Sequence, residues 1–385
     1  MVQTGPPRVA LIGALGHGRR HHLQIHRLQL GGRLRLVAIA NRRPVPPAAD
    51  TPLDDVAIYQ DPDALLADVR PHITVVCTPP HTHAAIAEAA VRAGSDLLLE
   101  KPPVVTLAEH DRLAELVEQY GVRCQVGFQS LGSPVLPLLT GLVAESGLTT
   151  ISVAGAWWRP DSYFARTVWA GRRTIDGAPA ADGALANQFA HALQQALALA
   201  AGVTGAADPV AIGLEWYRTR DIEVEDTARL AVTLAGGTEI RLAVTLASDT
   251  FTHGELLVRG DHDVASWDFT NDRLRLAGEA GHRVVPGRVG LLENLLDHRR
   301  DPSGVPLLGS LVATRAFTVI LDALAAAPPP ALIAEKYLRP HPEGGGNVVD
   351  GIGEVIAAAA QGDVSFSEAG APWAGPAYRV PVSRP

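Results

Sequence analysis

Over the first 129 residues, short apolar runs alternate with longer segments whose apolar positions recur at helical spacing. The runs are Arg8–Ile12, Leu34–Ala40, His72–Cys77, Asp96–Leu99 and Arg123–Phe128. Between them lie Arg19–Leu30, Thr82–Ala93 and Leu107–Tyr120. This alternation predicts a parallel sheet with helices on both faces, an α/β domain over residues 1–129. Further on the period drops to two: Ile240, Leu242, Val244 and Leu246 alternate with Arg241, Ala243 and Thr245, the mark of a strand with one buried face. Thr150–Trp157, Ala211–Arg218, Thr227–Leu234, Glu255–Arg259 and Val264–Phe269 are comparable, and Gly236-Gly237 predicts a hairpin turn. Residues 130–330 therefore read as an α+β domain with an open, mainly antiparallel sheet, helices on one side and the other side free for a partner. Pro328-Pro329-Pro330 ends the last helix of that domain. Residues 331–385 form an extension with one helix-like segment, Val348–Ala360, expected to pack on the two domains or on a neighbouring subunit.

Composition agrees with a folded two-domain chain: 385 residues, 47% hydrophobic and 19% charged. A formal net charge of -8 offers no basic footprint for nucleic acid. Met1–Pro7 has neither the charged start nor the apolar run of a signal peptide, and the Ala192–Ala201 run is too short to span a bilayer. The expectation is a cytoplasmic protein without a membrane anchor. Cys77 and Cys124 each sit inside an apolar run, which fits packing in a reducing compartment rather than a disulfide or a nucleophile. No Gly-x-Ser-x-Gly elbow or Walker loop occurs, so hydrolase and kinase chemistry lack support.

Ligands of parallel sheets bind outside the carboxyl ends of the strands, and three loops there carry candidate chemistry. In Gly13-Ala14-Leu15-Gly16-His17-Gly18, glycines would let the backbone approach a pyrophosphate at a helix N-terminus. Leu15 replaces the middle glycine of the usual spacing, and Gly16 is placed to take over part of its role. Asn41-Arg42-Arg43 follows the second strand, where an acidic residue would hold the ribose 2′-hydroxyl of NAD. An amide and two arginines suit a 2′-phosphate instead, so NADP is preferred over NAD; the alternative is a solvated turn. Glu100-Lys101-Pro102 ends the fourth apolar run, where a lysine can reach a nicotinamide and a reacting carbon, or simply lie in a surface turn.

Together these loops resemble the Gfo/Idh/MocA oxidoreductase family. The matching stretches are Val9–Gly18, Cys77-Thr78-Pro79-Pro80-His81-Thr82-His83 and Leu99-Glu100-Lys101-Pro102-Pro103. Tyr163-Phe164, Trp169-Ala170-Gly171 and Asp182–His191 follow in the middle of the chain. The resemblance spans about residues 8–330. It implies hydride transfer between NADP or NAD and a hydroxyl-bearing carbon of a sugar, cyclitol or nucleotide sugar, in a homodimer or homotetramer. It further implies that Lys101 polarises the reacting oxygen and that His191 is the acid–base group. Thr78, Pro79, His83, Glu100 and Lys101 would join the first two loops in holding the cofactor. Asn187 falls where many members carry aspartate; an asparagine cannot supply a negative charge but can orient a hydroxyl. Tyr163, Trp169, Asn187 and His191 would line the substrate pocket.

Positions 187 and 191 are four apart, so one continuous helix would put both on one face, with Gln194 or Gln195 continuing it. His17, His21, His22 and His26 include two further pairs at that spacing. With no carboxylate or cysteine between them, they read as a polar helix face, and no metal is expected. Two other functions fit the family: a redox-assisted lyase or glycosidase that keeps NAD bound, and a non-catalytic nucleotide-sensing regulator. The presence of both Lys101 and His191 speaks against the regulator.

Overall fold

The computed structural model describes residues 5–145, 147–261 and 263–382, so Met1–Thr4 of the N-terminal reading lie outside it. The chain forms two compact units.

The first unit opens with β1 (Arg8–Ile12), α1 (Gly18–Leu30), β2 (Arg35–Ala40), β3 (Ala57–Tyr59) and α2 (Pro62–Val69). It continues with β4 (Ile73–Val76), α3 (His83–Arg92), β5 (Asp96–Leu99), α4 (Leu107–Tyr120) and β6 (Cys124–Val126). The six strands form a parallel sheet in the order β3-β2-β1-β4-β5-β6, the doubly wound arrangement expected of a dinucleotide fold. β4 and β5 are buried at every position, as strands covered on both faces must be. Local signals set the helix ends. Asp61 caps α2 ahead of Pro62, and α4 starts with a Thr106–Glu109 capping box and stops at left-handed Gly121.

The remaining elements begin with α5 (Val135–Ala144), β7 (Thr150–Trp158), α6 (Asp161–Phe164), the short ladder β8 (Thr174–Ile175) and β9 (Ala178–Pro179), and α7 (Ala190–Thr204). The strands β10 (Pro209–Arg218), β11 (Thr227–Leu234), β12 (Glu239–Thr245), β13 (Ala247–Arg259), β14 (Asp263–Asp268), β15 (Arg273–Leu276) and β16 (Arg283–Val284) follow. Last come α8 (Leu291–Arg300), α9 (Arg315–Ala326), β17 (Ala331–Leu332), β18 (Leu338–Pro340), β19 (Asn347–Val349), α10 (Ile352–Gly362) and β20 (Tyr378–Val380). Here the structure departs from the expected boundaries: Gly290–Arg315 belongs to the first unit, not to a 130–330 domain. Its α8 buries Leu291, Leu292, Leu295 and Leu296 in one cluster with Leu11, Ile25 and Ile73. Gln125 binds Asn294 beneath it, and Arg315 pairs with Asp111.

The second unit comprises Gln129–Val289 and Ala316–Pro385 and is built on a ten-stranded mixed sheet. Its pairings are antiparallel except β7–β12 and β10–β17. The side expected to be free is partly covered by the C-terminal extension. α10 lies over β7, β12 and β13, and Ile352, Ile356, Ala359 and Ala360 pack with Ala243, Ala247 and Tyr217. Small side chains on this side let the helix settle on the sheet, burying apolar surface at about 25 cal/mol per Å². The extension also adds β17 and β20 to the sheet edge at β10.

Candidate active site

In the first unit, β1, β2, β4 and β5 end side by side. Ile12 pairs with both Ala40 and Val76, and Val76 with Leu99. The loops Gly13–His17, Asn41–Arg43, Cys77–Thr78 and Glu100–Lys101 therefore leave from one edge of the sheet. Backbone packing dictates two of the glycines. Gly13 has φ +87°, and a Cβ there would lie 2.2 Å from the Cys77 carbonyl oxygen; one on Gly18 would lie 1.8 Å from the Gly13 oxygen. Leu15 is half-buried, and α1 has no acidic residue in its first turn. A tight glycine-containing turn running into a helix N-terminus without acidic side chains fits a dinucleotide pyrophosphate. Asn41 ties two loops together: its Oδ1 accepts from Ala14 N at 3.2 Å and its Nδ2 donates to Arg43 O at 2.6 Å. Arg42 and Arg43 are left exposed beside it.

The end of β5 brings together residues that the sequence kept apart. His21 Nε2 lies 2.7 Å and His17 Nε2 3.5 Å from Glu100 Oε1, while Glu100 Oε2 accepts from Lys101 N at 3.1 Å. Burial works to raise the Glu100 pKa, but the hydrogen bonds and charge of His17 and His21 outweigh it and hold the carboxyl well below its usual range. The spacing of the histidines gave no sign of a carboxylate; the fold supplies it from 79 residues downstream of His21. Among the described residues, these three form the one group whose possible metal-ligand atoms converge, all within 4.8 Å of one another. His83 is fully buried, with its ring nitrogens 2.8 Å from the carbonyl oxygens of Pro102 and Thr78. It fastens the β4 loop to the β5 loop. Thr78 is bonded by Thr82 Oγ1, and Pro79 precedes the turn into α3. Burial raises both thiols, Cys124 to about 12, as expected of packing cysteines.

In the second unit the predicted continuous helix is broken. Ala184–Gln188 forms a π turn, Phe189 leaves helical geometry, and α7 starts at Ala190. Asn187 thus sits on the π turn and His191 in the first turn of α7, a local irregularity of the sort found at functional sites. Gln194 and Gln195 are buried, and Gln195 Nε2 donates to the Ser130 carbonyl rather than facing a cleft. His191 is half-buried, with Nδ1 3.2 Å from Ser130 Oγ. Asn187 Nδ2 donates to Asp182 Oδ1 at 2.9 Å, and the other oxygen of Asp182 accepts from Gly171 N at 2.8 Å. Gln188 Nε2 donates to Tyr163 Oη at 2.7 Å. Two bonded links therefore join the Tyr163–Gly171 loop to the turn carrying Asn187. Sequence reading assigned no role to Asp182, Ser130 or Gln188, although Asp182 and Gln188 lie within the matching stretch Asp182–His191.

The extension supports that loop. His341 stacks on Trp158 with centroids 4.1 Å apart, Asp161 N donates to Gly345 O at 2.8 Å, and Arg339 pairs with Asp249 and Asp350. Beneath the π turn, Glu225 accepts from Leu185 N at 2.9 Å. Burial, with Asp182 and Asp226 nearby, pushes its pKa up to about 8 despite that bond.

Residues 7–128 match the model of the Gfo/Idh/MocA oxidoreductase family, NAD-binding Rossmann fold. Over those residues the chain is similar to this family. Inositol 2-dehydrogenase of Paracoccus denitrificans (strain Pd 1222) is 30% identical over 139 residues, which cover 36% of this chain and 41% of that protein. The chain thus spans less than half the length of that curated relative. Solved structures extend the likeness to the second unit as a matter of fold. The WlbA dehydrogenase from Bordetella pertussis, in complex with NADH and UDP-GlcNAcA, has a TM-score of 0.66 at 19% identity, covering 83% of this chain and 95% of that one. An inositol dehydrogenase homolog from Azotobacter vinelandii, complexed with NADH and myo-inositol, has a TM-score of 0.62 at 17% identity, covering 83% and 94%. Among the described residues no helix is long and apolar enough to cross a membrane.

Proposed function

We propose that this protein is a nicotinamide-dependent dehydrogenase acting on a hydroxyl-bearing carbon of a sugar, cyclitol or related polyol. The observation that carries the reading is a half-buried histidine, His191, anchored on Ser130 at the start of α7 and preceded by a π turn that holds Asn187. Oxidising an alcohol requires a group to take the hydroxyl proton as hydride leaves carbon. A bound nicotinamide dinucleotide supplies the hydride acceptor or donor. With Nδ1 turned to Ser130, His191 exchanges the substrate proton through Nε2. Asp182 holds the amide end of Asn187, so its carboxamide oxygen accepts from a substrate hydroxyl. Lys101 carries a positive charge to the reacting oxygen, stabilising the developing alkoxide. Tyr163 and Trp169 offer ring faces to the C–H faces of a sugar.

The first unit holds the cofactor through the Gly13–Gly18 cradle and the Asn41–Arg43 loop. Exposed Arg42 and Arg43, with no acidic residue at the end of β2, support NADP(H) over NAD(H). The names of the relatives, inositol and nucleotide-sugar dehydrogenases, support the substrate class.

The test is an absorbance assay of free cofactor against a panel of sugars and polyols, run on the wild type and on His191→Ala. Cofactor should change stoichiometrically with product, and the variant should lose roughly 10²–10⁴-fold in turnover while binding cofactor as before. Near-normal turnover in the variant would move the proton role to Lys101 or Tyr163. Product without net cofactor change would replace this reading with a redox-assisted lyase.

A further inference from the structure

The loop that follows β7 has two arginines among its aromatic rings. The Arg159 guanidinium carbon lies 5.1 Å from the Trp157 ring centroid and 5.3 Å from that of Tyr163. That of Arg166 lies 3.7 Å from Tyr163 and 5.1 Å from Trp169. Each arginine spends one N–H on a local carbonyl: Arg159 on Trp158 O at 2.9 Å and Arg166 on Tyr163 O. Other arginines nearby are spoken for. Arg172 pairs with Glu223, Arg220 with Asp161 and Asp226, and Arg173 caps the carbonyls of Ala325 and Ala327. Among the described residues, no carboxylate pairs with Arg159 or Arg166.

Two cations near one tyrosine ring repel each other, and each exposed cation–π contact returns only about 0.5–1 kcal/mol. In a chain of net charge -8, leaving both without a carboxylate creates a local positive site rather than following the general balance. Stacking occupies the flat face of a guanidinium and leaves its N–H edge, the fork that matches a carboxylate or phosphate. The pair is also fixed relative to the proposed chemistry, because Tyr163 Oη accepts from Gln188, the residue after Asn187.

We propose that the substrate carries an anionic group beside its polyhydroxy body and that Arg159 and Arg166 bind this group. The inference rests on the dehydrogenase reading and narrows its substrate class to sugars bearing a carboxylate or a phosphate. Rings supply the apolar contact, the arginines supply the anion site, and Asn187 and His191 address the hydroxyl.

The full chain is to be assayed with cofactor and three matched compounds: a neutral hexose, its uronate and its phosphate. Binding of each is measured in parallel by calorimetry, which does not depend on turnover. At least one anion should bind roughly tenfold or more tighter than the neutral sugar, with the advantage shrinking as salt rises. Arg166→Ala should weaken that anion roughly ten- to a hundredfold and leave the neutral sugar unchanged. Arg166→Lys should recover part of the loss, and Arg172→Ala, on the neighbouring paired arginine, should change nothing. Whichever anion loses more in Arg166→Ala identifies a carboxylate or a phosphate as the natural group. Equal binding of all three compounds, or equal loss for all three in Arg166→Ala, overturns the proposal. Arginine-dependent anion binding without turnover of any compound keeps the anion site and removes the dehydrogenase reading.

Discussion

Each unit buries a glutamate near its candidate chemistry, and the two carboxyls are driven in opposite directions. Glu100 is 5% exposed and Glu225 3%, so desolvation alone would raise both. Glu100 meets two histidines and the Lys101 backbone N–H, and it stays ionised. Glu225 meets the backbone N–H groups of Leu185 and of its own residue, and the carboxylates Asp182 and Asp226, and burial takes its pKa up to about 8. Burial sets the scale of a shift; the partners set its sign. The first unit thus holds a fixed negative charge at the end of β5, whereas the second keeps a neutral acid beneath the turn that carries Asn187.

The sharpest way to break this contrast is Glu100→Gln. Removing the carboxylate that a buried ring N–H is bonded to typically costs about 1–3 kcal/mol, because the group left behind loses its acceptor. His21, only 6% exposed at its side chain, is that group. All six tryptophans lie in the second unit, so tryptophan fluorescence reports that unit and far-UV circular dichroism reports both. In Glu100→Gln at pH 7, the dichroism transition should move to lower urea while the fluorescence transition stays in place. A depressed carboxylate adds stability above its unfolded pKa and loses it as pH falls through the folded one, so the deficit should shrink toward strongly acidic pH. An unchanged dichroism transition would mean that the histidines do not depend on Glu100.

Glu225→Gln should act with the opposite sign and a smaller size. The folded carboxyl keeps its proton to about pH 8, whereas the unfolded one loses it near 4.5. Between those values the folded state binds more protons, so stability falls as pH rises. Glutamine still accepts from Leu185 N but has no proton to lose. The fluorescence transition of wild type should therefore drop between pH 5 and 8, by an amount on the order of a few kcal/mol at most, and the variant should be nearly flat. Parallel slopes in the two proteins would show that Glu225 does not titrate in this window.

The same contrast explains what could be read from the chain. Gly13, Gly18 and the strand run Ile73–Val76 announce the first unit because β1, the loop and α1 are adjacent in sequence, so spacing and glycine placement carry the geometry. The Glu100–histidine set was invisible because its members meet only through sheet order. The second unit hid more. A four-residue spacing pointed to one helical face for Asn187 and His191, but the π turn inserts a bend that periodicity cannot register. Nothing in the spacing shows that Asp182 anchors both Gly171 and Asn187. The 130–330 boundary put residues 291–300 with the second domain by chain position, while the α8 leucines belong with Leu11 and Ile25. The extension gave only a helix-like segment and no sign that Tyr217 and Ala243 would receive it.

The smallest predicted effect tests the cofactor edge of the first unit. Asn41 has both ends of its carboxamide bound within the fold, so on the proposed NADP(H) reading discrimination at the end of β2 would fall to Arg42 and Arg43. Both are exposed, which limits what either charge contributes. Replacing both by alanine should weaken NADPH by about tenfold, roughly 1.4 kcal/mol by the affinity relation, and leave NADH unchanged, followed by quenching of tryptophan fluorescence. Added salt should narrow the wild-type preference in the same direction, because exposed charge is screened over about 10 Å at 0.1 M. If NADH binds as tightly as NADPH to wild type and the double variant alters neither, the arginines form a solvated turn, and the 2′-phosphate reading of this loop is wrong.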